Sequence, residues 1–279
     1  MTELAFSDGS DMKTLYIHIG HYKTGSSAIQ KYCADSATLL DQNGYHYPTA
    51  GRTGAGTNHA DLSITLAAKH GFKPPPWYQG TTEIDAIYAA FTAEVAAASQ
   101  ENVLISSEEF IQLALGQDPK AAITELHNRL DQFDVRILLY IREPMALLKS
   151  WYNEVNKGPH GTRTFPVFFK NLNTDFLAQW KTYRLFASVF GAKRIIVRSY
   201  KYTGMDHIRG FLDAINYAPL PTGSDMISAQ EAQDLRTLEL ERVAKKRAYG
   251  YDQATLSQFG DIKLLAKKVR QINFRFAKL

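Results

Sequence analysis

"LYIHIGHYKTGSSAIQ", Leu15 to Gln30, places a strand, a turn and a helix start in immediate succession. The apolar run Leu15–Ile19 reads as a buried strand, Gly20 opens a turn, and apolar residues recur at near-helical spacing from Ser26 to Leu40. That layout is the layout of a phosphate loop. The usual triphosphate version is G-x-x-x-x-G-K-[ST], in which the lysine reaches the terminal phosphates and the hydroxyl holds magnesium. Here Gly20 and Gly25 keep the spacing, but Ser26 stands at the lysine position and Lys23 lies inside the loop. Backbone N–H groups from Tyr22 to Ser27 can converge on one anion at the helix N-terminus. The hydroxyls of Thr24, Ser26 and Ser27 can add donors, and Lys23 a point charge.

Outward from this stretch the chain keeps an alternating rhythm. "NGYHYP" (43–48) is a turn, "PTAGRTGAGTNHA" (48–60) a loop, and "HADLSITLAAKHG" (59–71) a helix ending at Gly71. "KPPPW" (73–77) excludes a helix interior. "TTEIDAIYAAFTAEVAAASQ" (81–100) follows as a helix with Thr81 or Thr82 as cap, then the short strand "NVLIS" (102–106). Helix "DPKAAITELHNRLDQF" (118–133), strand "VRILLYI" (135–141) and helix "REPMALLKSWYNEV" (142–155) come next. Beyond a glycine-rich break lie a long helix over 174–190, a strand in "AKRIIVRSY" (192–200), the helix "GMDHIRGFLDAI" (204–215) and a helical last third. The pattern predicts an α/β three-layer sandwich with a mostly parallel central sheet, and ligands at the carboxyl ends of its strands. One domain over 13–279 is expected, behind a disordered tail at 1–12.

Composition narrows the class. A formal charge of +4 suits an anionic ligand but falls short of a nucleic-acid signature. The single cysteine, Cys33, excludes an intrachain disulfide and reads as a core packer. Neither a leader segment nor an apolar run long enough to span a bilayer is visible, so a soluble cytoplasmic protein is expected.

The second strand-to-helix junction carries the next signal. A triphosphatase is expected to end such a strand on an aspartate that organises magnesium. This strand ends on Arg142, with Ser150 eight residues on, about two turns along the following helix and facing the same side. The guanidinium fork suits a dianionic phosphate, and serine adds a hydroxyl. Two anion sites without a magnesium carboxylate favour a ligand with two separated phosphates over a nucleoside triphosphate.

"IHIGHYKTGSSAIQ" resembles the 5′-phosphosulfate loop of sulfotransferases that use 3′-phosphoadenosine 5′-phosphosulfate, and "ILLYIREPMALLKSWYNEV" resembles their 3′-phosphate segment. The resemblance covers much of Leu15–Tyr152 and weakens through "RIIVRSY". It implies a P-loop-like sulfotransferase fold, with Lys23, Thr24, Gly25, Ser26 and Ser27 on the 5′-phosphosulfate and Arg142 and Ser150 on the 3′-phosphate. It also implies metal-free sulfuryl transfer to a hydroxyl or amine, leaving 3′-phosphoadenosine 5′-phosphate. The C-terminal arginine-lysine-glycine signature of the steroid and phenol branch is absent, and "KKRAYG" (245–250) is a loose echo, which points to the bacterial-like or carbohydrate-type side.

The displaced lysine fits such chemistry, because one cation can offset the charge that grows on the bridging oxygen. For the base, "LISSEEF" offers Glu108 or Glu109 at the same rim, with Glu108 preferred since consecutive residues point apart. His59 in "GTNHADL" is the rival. His18 reads as a structural core residue, and His21 as a phosphosulfate contact or a solvent-facing residue. The aromatics at Tyr45–Tyr47, Trp77–Tyr78 and Trp151–Tyr152 are candidates for an acceptor pocket, and "HGTRTFPVFF" (160–169) for a mobile cover. The acceptor class stays broad: a small metabolite, lipid or glycan. The basic last helix, with Lys263, Lys267, Lys268, Arg270 and Arg275, reads as a solvated face and leaves nucleotide covering, homodimerisation or contact with an acidic carrier open. A P-loop-type phosphotransferase and a non-catalytic nucleotide-binding protein are the competing classes.

Overall fold

A computed structural model describes residues 12–81, 83–157, 161–201, 204–218 and 238–243. Its frame is a five-stranded sheet of β1 (Thr14–His18), β2 (Tyr45–His46), β3 (Asn102–Ser106), β4 (Asp134–Ile141) and β5 (Ile195–Ser199). All pairings are parallel, in the order β2-β3-β1-β4-β5. This bears out the expected α/β layering, and the order is consistent with a P-loop-like fold.

Parallel strands bury both faces, and the alternation of side chains decides which residue serves which face. Leu15, Ile17, Val103, Ile105, Val135, Ile137 and Leu139 pack on one side. There they meet α3 (Ala60–Lys69), α4 (Ile84–Ala97), α5 (Gln112–Leu115), α6 (Pro119–Arg129) and α9 (Gln179–Phe190). Tyr16, Leu104, Leu138 and Tyr140 turn the other way, onto α1 (Ser26–Asp35), α2 (Ala37–Gln42) and α10 (Gly204–Ala214). Cys33 is fully buried in this second layer, as expected of a core packer. A third cluster joins α7 (Pro144–Asn156) to α8 (Phe165–Lys170) through Leu148, Tyr152, Phe168 and Phe169.

The sheet order fixes where a ligand can sit. From β1 the chain moves outward to β2 and β3, then crosses back over β1 to β4. The connections leaving β1 and β4 run to opposite faces of the sheet, the first through α1 and the second through α9, and a crevice opens at the carboxyl ends of these neighbours. The loop after β1 and Arg142 after β4 stand at that crevice.

Several local expectations are corrected. The helix read over 26–40 breaks at Ser36 into α1 and α2, and "YH" in the supposed turn is the edge strand β2. The helix read over 174–190 is a short 3₁₀ turn, Thr174–Phe176, followed by α9. Helix α4 begins after Glu83; Thr81 accepts a bond from the Glu83 N–H at 3.0 Å, and Thr82 lies outside the described residues. The segment expected to be a mobile cover contains α8, whose Phe168 and Phe169 are buried, while His160 lies outside the described residues. The tail at 1–11, "KKRAYG" and the basic last helix also lie outside them. Among the described residues no helix is long and apolar enough to cross a membrane.

Leu138 is fully buried at the middle of β4. Leu138→Ala is expected to lower the unfolding free energy by about 2–5 kcal/mol, through lost transfer energy and a residual cavity. Urea titration should show this as a lower midpoint at unchanged slope.

Candidate anion-binding site at the β1 and β4 junctions

The loop between β1 and α1 depends on left-handed backbone at three positions: Gly20 (φ 55°), Lys23 (φ 64°) and Gly25 (φ 77°). Gly25 is demanded twice over, since a Cβ there would lie 2.7 Å from His207 Nε2 on α10. Thr24 braces the turn from inside. Its hydroxyl donates to the His21 carbonyl at 2.6 Å and accepts from the His21 N–H at 3.0 Å. This corrects the expectation that Thr24 offers its hydroxyl to a ligand, because the side chain is fully buried and already engaged. Ser27 is exposed and Ser26 is buried at the helix start. Helix α1 has no side-chain N-cap. Among the described residues the N–H groups of Tyr22, Lys23, Gly25, Ser26 and Ser27 have no hydrogen-bond partner. Unpaired donors clustered at a helix N-terminus form an anion cradle.

Arg142 reaches this cradle from the next strand. Gln179 clamps its backbone, accepting from the Arg142 N–H at 2.8 Å and donating to its carbonyl at 2.7 Å. The guanidinium then donates through Nη1 to the Lys23 carbonyl at 2.6 Å and lies 5.0 Å from the centre of the Tyr200 ring. Burial lowers its pKa, with Tyr200 and Glu143 opposing. Among the described residues no carboxylate lies within ion-pair distance of it. Glu143, the adjacent acid, accepts from the Met145 and Ala146 N–H groups as the N-cap of α7. Ser150, buried on α7, shares a helix face with Glu154, and Glu154 meets the loop. Arg142 thus bonds to the loop directly, and Ser150 lies one turn before the Glu154 that meets it.

Lys23 is not a free cation: its Nζ lies 2.7 Å from Glu154 Oε2. The two carboxylates after β3 point apart, as expected. Glu108, partly exposed, accepts on Oε2 from Gln30 Nε2 at 2.7 Å and Asn58 Nδ2 at 3.3 Å. Its Cβ lies 3.7 Å from where a Cβ on Gly20 would stand, so it borders the loop. Glu109 turns inward, where the Tyr22 hydroxyl donates to it and Gln112 Nε2 donates to that hydroxyl at 2.7 Å. Burial raises its carboxyl to about 7, against the lowering bond from Tyr22.

His59 is corrected from candidate base to structural residue. It is fully buried, its Nε2 pairs with the Pro48 carbonyl at 3.0 Å, and its Nδ1 accepts from the Ser106 N–H at 3.2 Å. Both ring nitrogens are occupied, and burial lowers its pKa to about 3. His21 does not face water: it is buried with its ring 4.7 Å from that of Phe176, and its Nδ1 lies 3.4 Å from the Tyr22 carbonyl. His18 is the core residue expected, bonded through Nδ1 to Ser106 Oγ at 2.7 Å. Tyr45, Tyr47 and Tyr152 are buried, whereas Trp77 is 55% exposed.

No protein-family model matches the chain, and no curated protein matches it. Gln179, Tyr200, Glu154 and His207 are the members that sequence reading missed. Glu154, Gln179 and His207 stand on α7, α9 and α10 and Tyr200 directly follows β5, so only tertiary packing brings them to the loop.

Four buried histidines give the site an acid sensitivity. His18, His21, His59 and His207 have pKa values lowered by burial to about 3, 4, 3 and 4. Unfolded, each titrates near 6.5, so between that pH and about 4 the unfolded chain binds more protons and stability falls as pH falls. Glu109 acts oppositely, holding a native proton that the unfolded chain releases above 4.5, so its contribution declines as pH rises towards 7. Four groups outweigh one. Thermal unfolding in pH steps is expected to show Tm dropping steeply from about pH 6.5 to about pH 4. A flat profile there would contradict the neutral, buried histidines.

Proposed function

We propose that the protein is a sulfotransferase that uses 3′-phosphoadenosine 5′-phosphosulfate and acts on a hydroxyl or amine of a small metabolite, lipid or glycan. One observation carries the reading. An N–H cradle and a half-buried arginine, with no carboxylate in ion-pair distance among the described residues, sit on adjacent strand junctions, where a magnesium-dependent triphosphatase would keep an acid. The residues present fit the donor. The N–H groups of Tyr22, Lys23, Gly25, Ser26 and Ser27 would hold its 5′ end, and Arg142 with Ser150 its 3′-phosphate. When bound, the donor supplies an activated sulfuryl group on a phosphate leaving group.

The chain's own residues then divide the work. Lys23 stabilises negative charge growing on the leaving oxygen. Glu108 accepts the acceptor's proton; Gln30 and Asn58 fix the carboxylate through Oε2, and Oε1 takes no bond among the described residues. Glu109 is excluded from that role because it faces the buried Tyr22–Gln112 pair. The acceptor approaches from the Glu108 side, where Asn58 ends the glycine-rich loop.

Calorimetric titration without magnesium tests the reading. Adenosine 3′,5′-bisphosphate is expected to bind, and Arg142→Ala to weaken it by ~1.5–3 kcal/mol more than it weakens adenosine 5′-phosphosulfate, which feels only the lost bond to the Lys23 carbonyl. ATP binding much more tightly, and only with magnesium, would replace this reading with phosphotransfer. Equal losses for both ligands would take the 3′-phosphate away from Arg142.

Glu108→Gln should retain bisphosphate affinity and lose roughly a hundredfold or more in turnover, since the amide accepts no proton. Steady-state rates at saturating donor, on any accepted substrate, give the comparison. Near-normal turnover would remove Glu108 from the chemistry.

A further inference from the structure

Lys23 occupies a backbone conformation that suits glycine, with φ at 64°. A lysine there is costly to the loop, so its side chain has to account for its presence. Yet that side chain is spoken for. Its Nζ lies 2.7 Å from Glu154 Oε2, a residue 131 positions away on α7. Lys157, one turn further along α7, holds the same oxygen at 2.8 Å. Burial pushes the Glu154 carboxyl up, but hydrogen bonds from Lys157 and Lys23 outweigh this and hold it below the ordinary carboxylate value.

Sharing one carboxylate between two lysines has a consequence. When Lys23 leaves, Lys157 still pairs Glu154, so the departure strands no buried charge. The bond that breaks lies in a partly exposed setting, with Lys23 and Glu154 side chains 26% and 38% accessible, and pairs of that kind are weak. The open N–H groups around Lys23 supply the competing attraction for an anion.

We propose that Glu154 is a positioning residue that holds Lys23 towards α7 and gives it up to an anion bound in the loop. The lysine is thereby gated by an internal carboxylate competing for the same ammonium. This rests on the loop being an anion site, and not on which anion it takes.

The test titrates wild type, Glu154→Gln and Glu154→Ala with inorganic pyrophosphate and with adenosine 3′,5′-bisphosphate, at fixed ionic strength and without magnesium. Thermal unfolding of each variant verifies the fold. Both variants are expected to bind both probes roughly fivefold more tightly, because the internal competitor is gone. Loss of a general repulsion would also tighten binding, so the same substitutions are repeated with Lys23→Met, where the gain should largely vanish. Lys23 acylation, read by mass spectrometry without ligand, should be faster in Glu154→Gln than in wild type. Unchanged or weaker anion binding in the Glu154 variants would overturn the proposal. So would a gain that persists undiminished without Lys23, or failure of both probes to bind any form. A bisphosphate that binds no better than pyrophosphate would instead strike the nucleotide reading, and the fivefold gain with pyrophosphate would still support the gate.

Discussion

The bond from Arg142 Nη1 to the Lys23 carbonyl joins two strand-to-helix junctions 119 residues apart, and the site depends on it. Without it the loop and the end of β4 would be two separate surface turns. Its geometry is set from behind by Gln179, fully buried, which holds the Arg142 N–H and carbonyl together. The arginine backbone therefore belongs to α9, and its guanidinium to the loop. Such a bond can form because the sheet order sets β1 beside β4, with Thr14 to His18 in register against Asp134 to Leu138. A cation held in this way satisfies one donor internally and presents the rest of its fork at the crevice.

The two glutamates after β3 show how adjacent residues acquire different chemistry from their surroundings. Glu108 stays partly exposed, its Oε2 held by two amide donors. Glu109, buried against Tyr22 and Gln112, holds its proton near neutral pH and ties the loop to the 3₁₀ turn. The short turn Glu108–Ile111, capped by Ser107, sends the one towards α1 and the other into the core.

The fold was legible because strand alternation is a local signal that packing reinforces. Val135–Ile141 and Asn102–Ser106 read as buried strands and sit at the sheet centre. Edge elements were harder: β2 has two residues, and its Asn43–Gly44 start looks like any turn. At the site, the loop glycines and Arg142 could be read from spacing alone. The roles of Thr24, Lys23 and His59 could not, since each is decided by a tertiary partner. Thr24 turns back on its own loop, Lys23 reaches α7, and His59 is enclosed between Pro48 and Ser106. A histidine after a glycine-rich loop suggests catalysis until its ring nitrogens are counted.

That enclosure bears on solubility as well as on the site. Strand β2 covers only Asn102 and Val103 of β3, so the outer edge of β3 would be bare where the strand ends. His59 closes it with its own N–H, which donates to the Ser106 carbonyl at 2.9 Å, and with Nδ1, which takes the Ser106 N–H. One residue thereby imitates a strand partner on both the donor and the acceptor side. A backbone edge left open would invite pairing with a second molecule, the route by which sheets grow into aggregates. The loop 48–59 is then a fender for the sheet, and its glycines let it curl back far enough to deliver that one ring.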